Sequence, residues 1–183
     1  MGGNLPQPVP AVDEPGGSYS ELFVVSTQSG EIRPFITGKV TISSPLWSPD
    51  GSRIAFSSRR NNQKITQIWV IPAGGGEARQ VTHSETDVQF FRWHRDGRRI
   101  AYIAETPKSK LEKQLADKGY DFIYYEENLK HRNLYMVDID AENGRIEQLT
   151  DGVTVWSFEF SPDGKTIAAA VSDKNLVDYE YMF

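Results

Sequence analysis

The phrase "SPLWSPDGSRIAF" at residues 44–56 returns as "FRWHRDGRRIAYI" at 91–103 and as "WSFEFSPDGKTIAAA" at 156–170. Aligned on Asp-Gly, the copies fall at Asp50-Gly51, Asp96-Gly97 and Asp163-Gly164, 46 and 67 residues apart. A second phrase keeps the same beat. "LFVVSTQSGEIRPFIT" (22–37), "IWVIPAGGGEARQVT" (68–82) and "LYMVDIDAENGRIEQLT" (134–150) align on Phe23, Trp69 and Tyr135 and end on Thr37, Thr82 and Thr150. The period is about 46 residues, with an insertion of about 20 in the second interval. Self-similarity on this scale means stacked supersecondary units.

Each unit reads as strands. In Ser-Pro-Asp-Gly, Pro presets φ, Asp bonds the local backbone and Gly accepts a positive φ, so the phrase is a turn. Short β-rich runs follow it: Arg53–Phe56, Arg99–Tyr102 and Thr166–Ala169. Period-two alternation puts Ile and the aromatic residue on one face and Ala55, Ala101 and Ala168 on the other. A small residue recurring there predicts a closely packed neighbouring sheet. With the second hairpin, each unit supplies four antiparallel strands, the makings of a β-propeller blade. One blade cannot dry both faces alone, so neighbours stack. Trp47, Trp69, Trp93 and Trp156 are expected in the packing between blades.

The expected fold is therefore all-β: a β-propeller fragment of about three blades of four-stranded antiparallel sheets, with one short helix in the insertion. Residues 1–17 form a flexible arm, and 18–183 the partial propeller, in units of about 18–37, 38–82, 83–150 and 151–183. The first unit holds only its later hairpin and the last mainly its earlier one. Closed propellers typically have four to eight blades, so the chain reads as an arc of a larger ring. Its open strand edges invite self-association, including two arcs meeting as one ring. In the insertion, residues 106–117 read as a helix with Leu111 and Leu115 on one face, ended by Gly119, before "DFIYYEENLKHRNLYMVD" returns to strand.

A net charge of −5 argues against a nucleic-acid surface. Arg59-Arg60 and Arg98-Arg99 flank turns and read as solvated loop charge. The chain has no cysteine, which excludes disulfides, thiolate nucleophiles and Cys-type zinc sites. No apolar run is long enough to span a membrane. The opening residues lack a basic stretch before an apolar one, so no secretory signal is expected and a cytoplasmic location is.

The pattern "SPDG-x-x-IAF … IWV-x-x-x-x-GGEARQVT" resembles the repeats of TolB-like propellers. It also resembles the N-terminal propellers of the prolyl oligopeptidase family, which includes acylaminoacyl and dipeptidyl peptidases. The likeness covers about residues 18–183. The long insertion, its Tyr/Glu-rich return and the ending "SDKNLVDYEYMF" are more similar to the peptidase group. That resemblance implies a propeller that gates peptide access to a C-terminal α/β-hydrolase domain. Such a domain carries its serine on a G-x-S-x-G elbow. No such elbow occurs here, so the protein is expected to be non-catalytic, its partners being the missing hydrolase domain or remaining blades and, in the full-length protein, a peptide substrate. The alternative is a TolB-like scaffold for protein–protein interaction.

The same resemblance singles out Glu126 and Glu127. In dipeptidyl-peptidase-like propellers an Asp-Trp-x-Tyr-Glu-Glu-Glu stretch holds the substrate's terminal ammonium. "DFIYYEE" (121–127) echoes it loosely, with Phe in place of Trp and one extra residue before the Glu pair. A carboxylate pair can hold an ammonium by charge-assisted hydrogen bonds; a solvated loop end is the competing reading. No cofactor or metal is expected. His83, His94 and His131 lack metal-pair spacing, and His94 occupies the slot of Ser48 and Ser161 in the turn. "AGGGEAR" (73–79) lacks the Lys-Ser/Thr of a phosphate loop and aligns with a hairpin turn. Asp87 and Asp151 lack the alternate spacing of a calcium loop.

Overall fold

The computed structural model describes residues 19–61, 63–120, 129–141 and 144–175. Twelve strands form four antiparallel sheets of two, four, four and two strands, each strand beside its sequence neighbour. The first sheet pairs β1 (Leu22–Val25) with β2 (Ile32–Ile36). The second runs through β3 (Ile42–Trp47), β4 (Arg53–Ser58), β5 (Gln67–Pro72) and β6 (Arg79–Gln80). The third runs through β7 (Val88–Trp93), β8 (Arg99–Glu105), β9 (Arg132–Asp138) and β10 (Arg145–Gln148). The fourth pairs β11 (Thr154–Phe160) with β12 (Ile167–Ser172).

The core is three apolar seams, one between each pair of successive sheets. Leu22 and Ile36 of the first sheet meet Ile54, Phe56, Trp69 and Ile71 of the second. The opposite face of the second, with Ala55, Ile68 and Val70, meets Phe91, Trp93, Ile100, Tyr102 and Val137 of the third. The opposite face of the third, with Ala101, Ile103 and Leu134, meets Val155 and Phe158 of the fourth. Each fully buried Ile or Phe in a seam contributes about 1.5–3 kcal/mol. The repeating Ile/aromatic face looks back to the preceding sheet and the Ala face forward to the next. Ala55 and Ala101 are fully buried, whereas Ala168, which has no following sheet among the described residues, is exposed.

The tryptophans divide by the same rule. Trp69 and Trp93 are buried in seams, and Trp156 is half-buried under the Arg132 guanidinium, 4.5 Å from its ring centre. Trp47 corrects the sequence expectation: it is 51% exposed. It occupies the position of Trp93 one repeat earlier, but among the described residues the β1–β2 sheet before it has no counterparts of β3 and β4. The back face of β3 is therefore uncovered at its Trp47 end, while Ile42 at the other end is buried against Leu22 and Ile36.

The three Asp-Gly turns share one hydrogen-bond pattern. Ser48 Oγ donates to Asp50 Oδ1 at 2.5 Å, and the Ser52 N–H donates to the same oxygen at 3.1 Å. The Gly51 N–H donates to the Ser48 carbonyl at 2.8 Å. Ser161 and Asp163 repeat this at 2.6 Å, and in the middle copy the His94 ring replaces the serine, Nδ1 lying 2.9 Å from Asp96 Oδ2. Positive φ values at Gly51, Gly97 and Gly164 are why the turn needs glycine. The first strand of each later sheet also carries a bulge, at Ser43–Leu46, Val88–Phe90 and Val155–Ser157.

The insertion helix α1 (Lys110–Asp117) is shorter than predicted. Pro107 disfavours helical backbone just before it, and Ser109 caps it through a capping box with Glu112. Gly119, at φ 81°, closes it. Leu111 and Leu115 are exposed, so no apolar face of the helix is seated. Capping, worth about 1 kcal/mol, and ion pairs fix it instead: Lys113 with Glu85, and Lys130 with Glu112 at 2.6 Å.

Candidate functional site

Strand direction alternates within each sheet, so the connections sort onto two rims. The Asp-Gly turns and the β1–β2, β5–β6 and β9–β10 hairpins share one rim. The β2–β3, β4–β5, β6–β7 and β10–β11 links share the other, with both ends of the insertion. The turn rim is closed by contacts between successive sheets. Arg53 reaches Asp140 at 3.0 Å, and His94 Nε2 reaches the Gly164 carbonyl at 2.9 Å.

Cavities open at the second rim. One, about 580 Å³, is lined by Lys39, Val40, Arg59, Arg60, Asn61 and Gln63. A second of about 270 Å³ shares Arg59 with it and adds hydroxyls of β3 and β4. A third of about 300 Å³ shares Gln63 and reaches Gln80 and His83. Together they trace a polar groove along the β4–β5 loop.

That loop is held from several sides. Arg59 donates to Thr66 Oγ1 at 3.1 Å and to Asp87 Oδ2 at 3.0 Å, and the Thr66 N–H donates to Asp87 Oδ1 at 2.6 Å. Burial pushes the Asp87 carboxyl up, but the Thr66 donors and Arg59 outweigh it and hold the group below its ordinary 3.8. Arg60 lies over the Trp69 ring, 4.9 Å from its centre. Asn61, at φ 56°, makes the bend, and Asn tolerates that conformation better than most residues. Gln63 Nε2 donates to Gln80 Oε1 at 2.9 Å. Arg59 and Arg60 are thus anchored rather than freely solvated.

A clamp at this rim recurs in three repeats. Glu21, Gln67 and Asn133 hold one position just before β1, at the start of β5 and in β9, and each binds the link after the following strand. Glu21 accepts from the Gly38 N–H at 2.6 Å, and Gln67 from Thr82 Oγ1 at 2.8 Å and the Ser84 N–H at 3.0 Å. Asn133 Oδ1 lies 3.4 Å from Thr150 Oγ1. The recurring Thr closes the clamp by accepting the Ile68 N–H at Thr82 and the Leu134 N–H at Thr150, both at 2.9 Å. The period in Thr was visible in the sequence; its partners differ chemically from copy to copy and were not.

Glu126 and Glu127 lie outside the described residues. At the insertion's near end, Thr86 Oγ1 donates to the Glu105 carbonyl at 2.7 Å. Hydrogen bonding to Lys130, then to Ser109, lowers the Glu112 carboxyl from 4.5 to about 2. Among the described residues, none of the histidines pairs with an accessible hydroxyl. His83 faces Gln80, His94 faces Asp96 and Gly164, and His131 lies 3.0 Å from the hydroxyl of the fully buried Thr154. No group of three His, Asp or Glu side chains placed to hold a metal occurs among the described residues. The rim offers cations and amides, which bind and orient.

No protein-family profile matches the sequence, and no curated protein does. Solved structures do. TolB from Agrobacterium tumefaciens superposes with a TM-score of 0.51 at 20% identity, over 71% of this chain and 40% of that one. The acylaminoacyl peptidase of Pyrococcus horikoshii gives 0.53 at 19% identity, over 74% of this chain and 22% of that one. Hydrazine synthase of Kuenenia stuttgartiensis gives 0.58 at 16% identity, over 82% and 43%.

The chain is a partial β-propeller.

The propeller arc spans less than half of the length of each of these neighbours, and at such identities the likeness is one of fold. No described helix is long and apolar enough to cross a membrane.

Proposed function

We propose that this arc is a non-catalytic segment of a prolyl oligopeptidase family propeller. In this reading its open rim filters peptides on their way to a hydrolase domain outside the arc. The exposure of Trp47 at the end of β3 supports it most directly. The same position in the next repeat, Trp93, is seated against Leu46 of the sheet behind, so Trp47 offers a seat for further strands of a larger ring. The groove beside the β4–β5 loop gives the rim a surface that can hold an extended polar peptide. Glu126 and Glu127 would bind the terminal ammonium of such a peptide by charge-assisted hydrogen bonds.

Active-site labelling tests this reading. A fluorophosphonate probe reacts with an activated serine. The 183-residue protein should stay unlabelled, and the product of the reading frame extended beyond Phe183 should label at a G-x-S-x-G serine. An extended frame without that elbow would overturn the peptidase assignment and leave the TolB-like scaffold. Labelling of the 183-residue protein would overturn the non-catalytic assignment.

A further inference from the structure

A half-buried guanidinium ordinarily finds a carboxylate or a carbonyl. Arg60 has neither among the described residues. It rests on the Trp69 ring, and its Nη1 is closed off from water with no hydrogen-bond partner. Three residues on, Gln63 Oε1 is likewise closed off and unbonded, while its amide nitrogen is committed to Gln80. Arg60 and Gln63 thus both line one cavity, each holding an unbonded polar atom turned away from water. The Gln63 N–H donates to the Arg60 carbonyl at 3.1 Å, so the turn through Asn61 fixes their spacing.

The lining's charge points the same way. Lys39, Arg59 and Arg60 line the cavity with no acidic side chain among them. Arg59 is paired with Asp87 at 3.0 Å, so Arg60 is the guanidinium left to meet a ligand. Stacking on Trp69 occupies one face of the guanidinium and leaves its planar fork of donors, which matches a carboxylate in bidentate geometry. The cavity's volume falls within the roughly 300–1,000 Å³ of ordinary ligand pockets.

We propose that this cavity binds a peptide carboxylate, Arg60 taking the carboxylate oxygens and Gln63 Oε1 accepting the amide N–H beside them. Both side chains turn from their closed positions to do so. The carboxylate comes from the C-terminus of a peptide or from an Asp or Glu side chain; the two share this chemistry. A long polyanion is disfavoured by the acidic remainder of the surface. Arg60 and Gln63 both lie among the described residues, so the site is tested without a hydrolase domain and separately from the peptidase assignment.

Calorimetric titration of the 183-residue protein tests it with N-acetyl-Ala-Ala-Ala as the free acid, the same peptide as its C-terminal amide, and N-acetyl-Ala-Glu-Ala amide. At least one carboxylate peptide should bind saturably, and the neutral amide should not. Binding of the free acid alone identifies the terminal carboxylate; binding of the Glu peptide identifies the side chain. Arg60→Gln should weaken binding at least about tenfold. Arg95→Gln, on the opposite rim, should leave it unchanged. Equal binding of neutral and charged peptides by the unaltered protein, absence of carboxylate binding at millimolar concentration, or undiminished binding by folded Arg60→Gln would overturn the proposal. The first two outcomes need no variant, so a misfolded substitution cannot shelter it.

Discussion

The imidazole of His94 places Nε2 2.9 Å from the carbonyl oxygen of Gly164, across the seam between the last two sheets. The two residues belong to equivalent turns one repeat apart. His94 is buried, held on its other nitrogen by Asp96 and packed edge-on against Phe160 at 5.2 Å. A Cβ added at Gly164 would lie 2.6 Å from Nε2 and 2.9 Å from Arg95 Cγ. Arg95 can move aside, but the pinned ring cannot.

Gly164→Ala is therefore expected to combine two costs. The positive φ alone costs about 1 kcal/mol, and the overlap adds about 1–3 kcal/mol. Gly152 has φ 71° and open space around its Cβ position, so Gly152→Ala should show the backbone cost alone. Urea melts of the two variants would give the difference; equal losses would mean that the turns do not press on each other.

Acid should loosen the turn rim. Hydrogen bonds from Ser48, then Ser52, lower the Asp50 carboxyl from 3.8 to about 2. Asp163 is lowered chiefly by Ser161. At Asp96 desolvation works upward, but the donors of Arg98, Arg99 and His94 prevail and hold it far below 3.8. A lowered folded-state value means stabilisation that is complete above the unfolded value near 4 and lost as pH falls through the folded one. Thermal melts between pH 5 and pH 2 should show stability falling mainly below about pH 4. Asp50→Asn with Asp163→Asn should flatten that fall; an unchanged profile would remove the turns from the account.

The repeat was legible in the sequence because turn chemistry and period-two alternation are local. Asp50, Asp96 and Asp163 announce the turns, and Ile54 and Ala55 announce their faces. What depended on a neighbouring sheet was not legible. Trp47 and Trp93 are the same letter in the same register, and only the strand count behind each decides which is buried. Arg60 reads as loop charge until the fold lays it across Trp69, nine residues on. His94 was recognisable as a turn residue, but its grip on Gly164 joins residues 70 apart. Glu126 and Glu127 rested on a motif alone and remain a proposal.

Open edges should make the isolated protein associate. The outer edges of β1 and β12 pair with no other described strand, and Phe23, Val25 and Val171 are exposed on them. Paired strand edges are a common route to self-association. Sedimentation equilibrium should show a mass that rises with concentration, and Val171→Lys should shift it toward the monomer. A monomer at every concentration would argue against pairing between copies.

The central claim is that successive sheets bury one another through matched faces, and one pair of substitutions tests it directly. Ala101 and Ala168 hold the same repeat position, the first sealed in a seam and the second facing no described sheet. Denaturant unfolding of Ala101→Leu should show a loss of about 1–3 kcal/mol from overpacking. Ala168→Leu should fall within about 0.5 kcal/mol of the unaltered protein. Equal effects at the two positions would contradict the stacked arrangement.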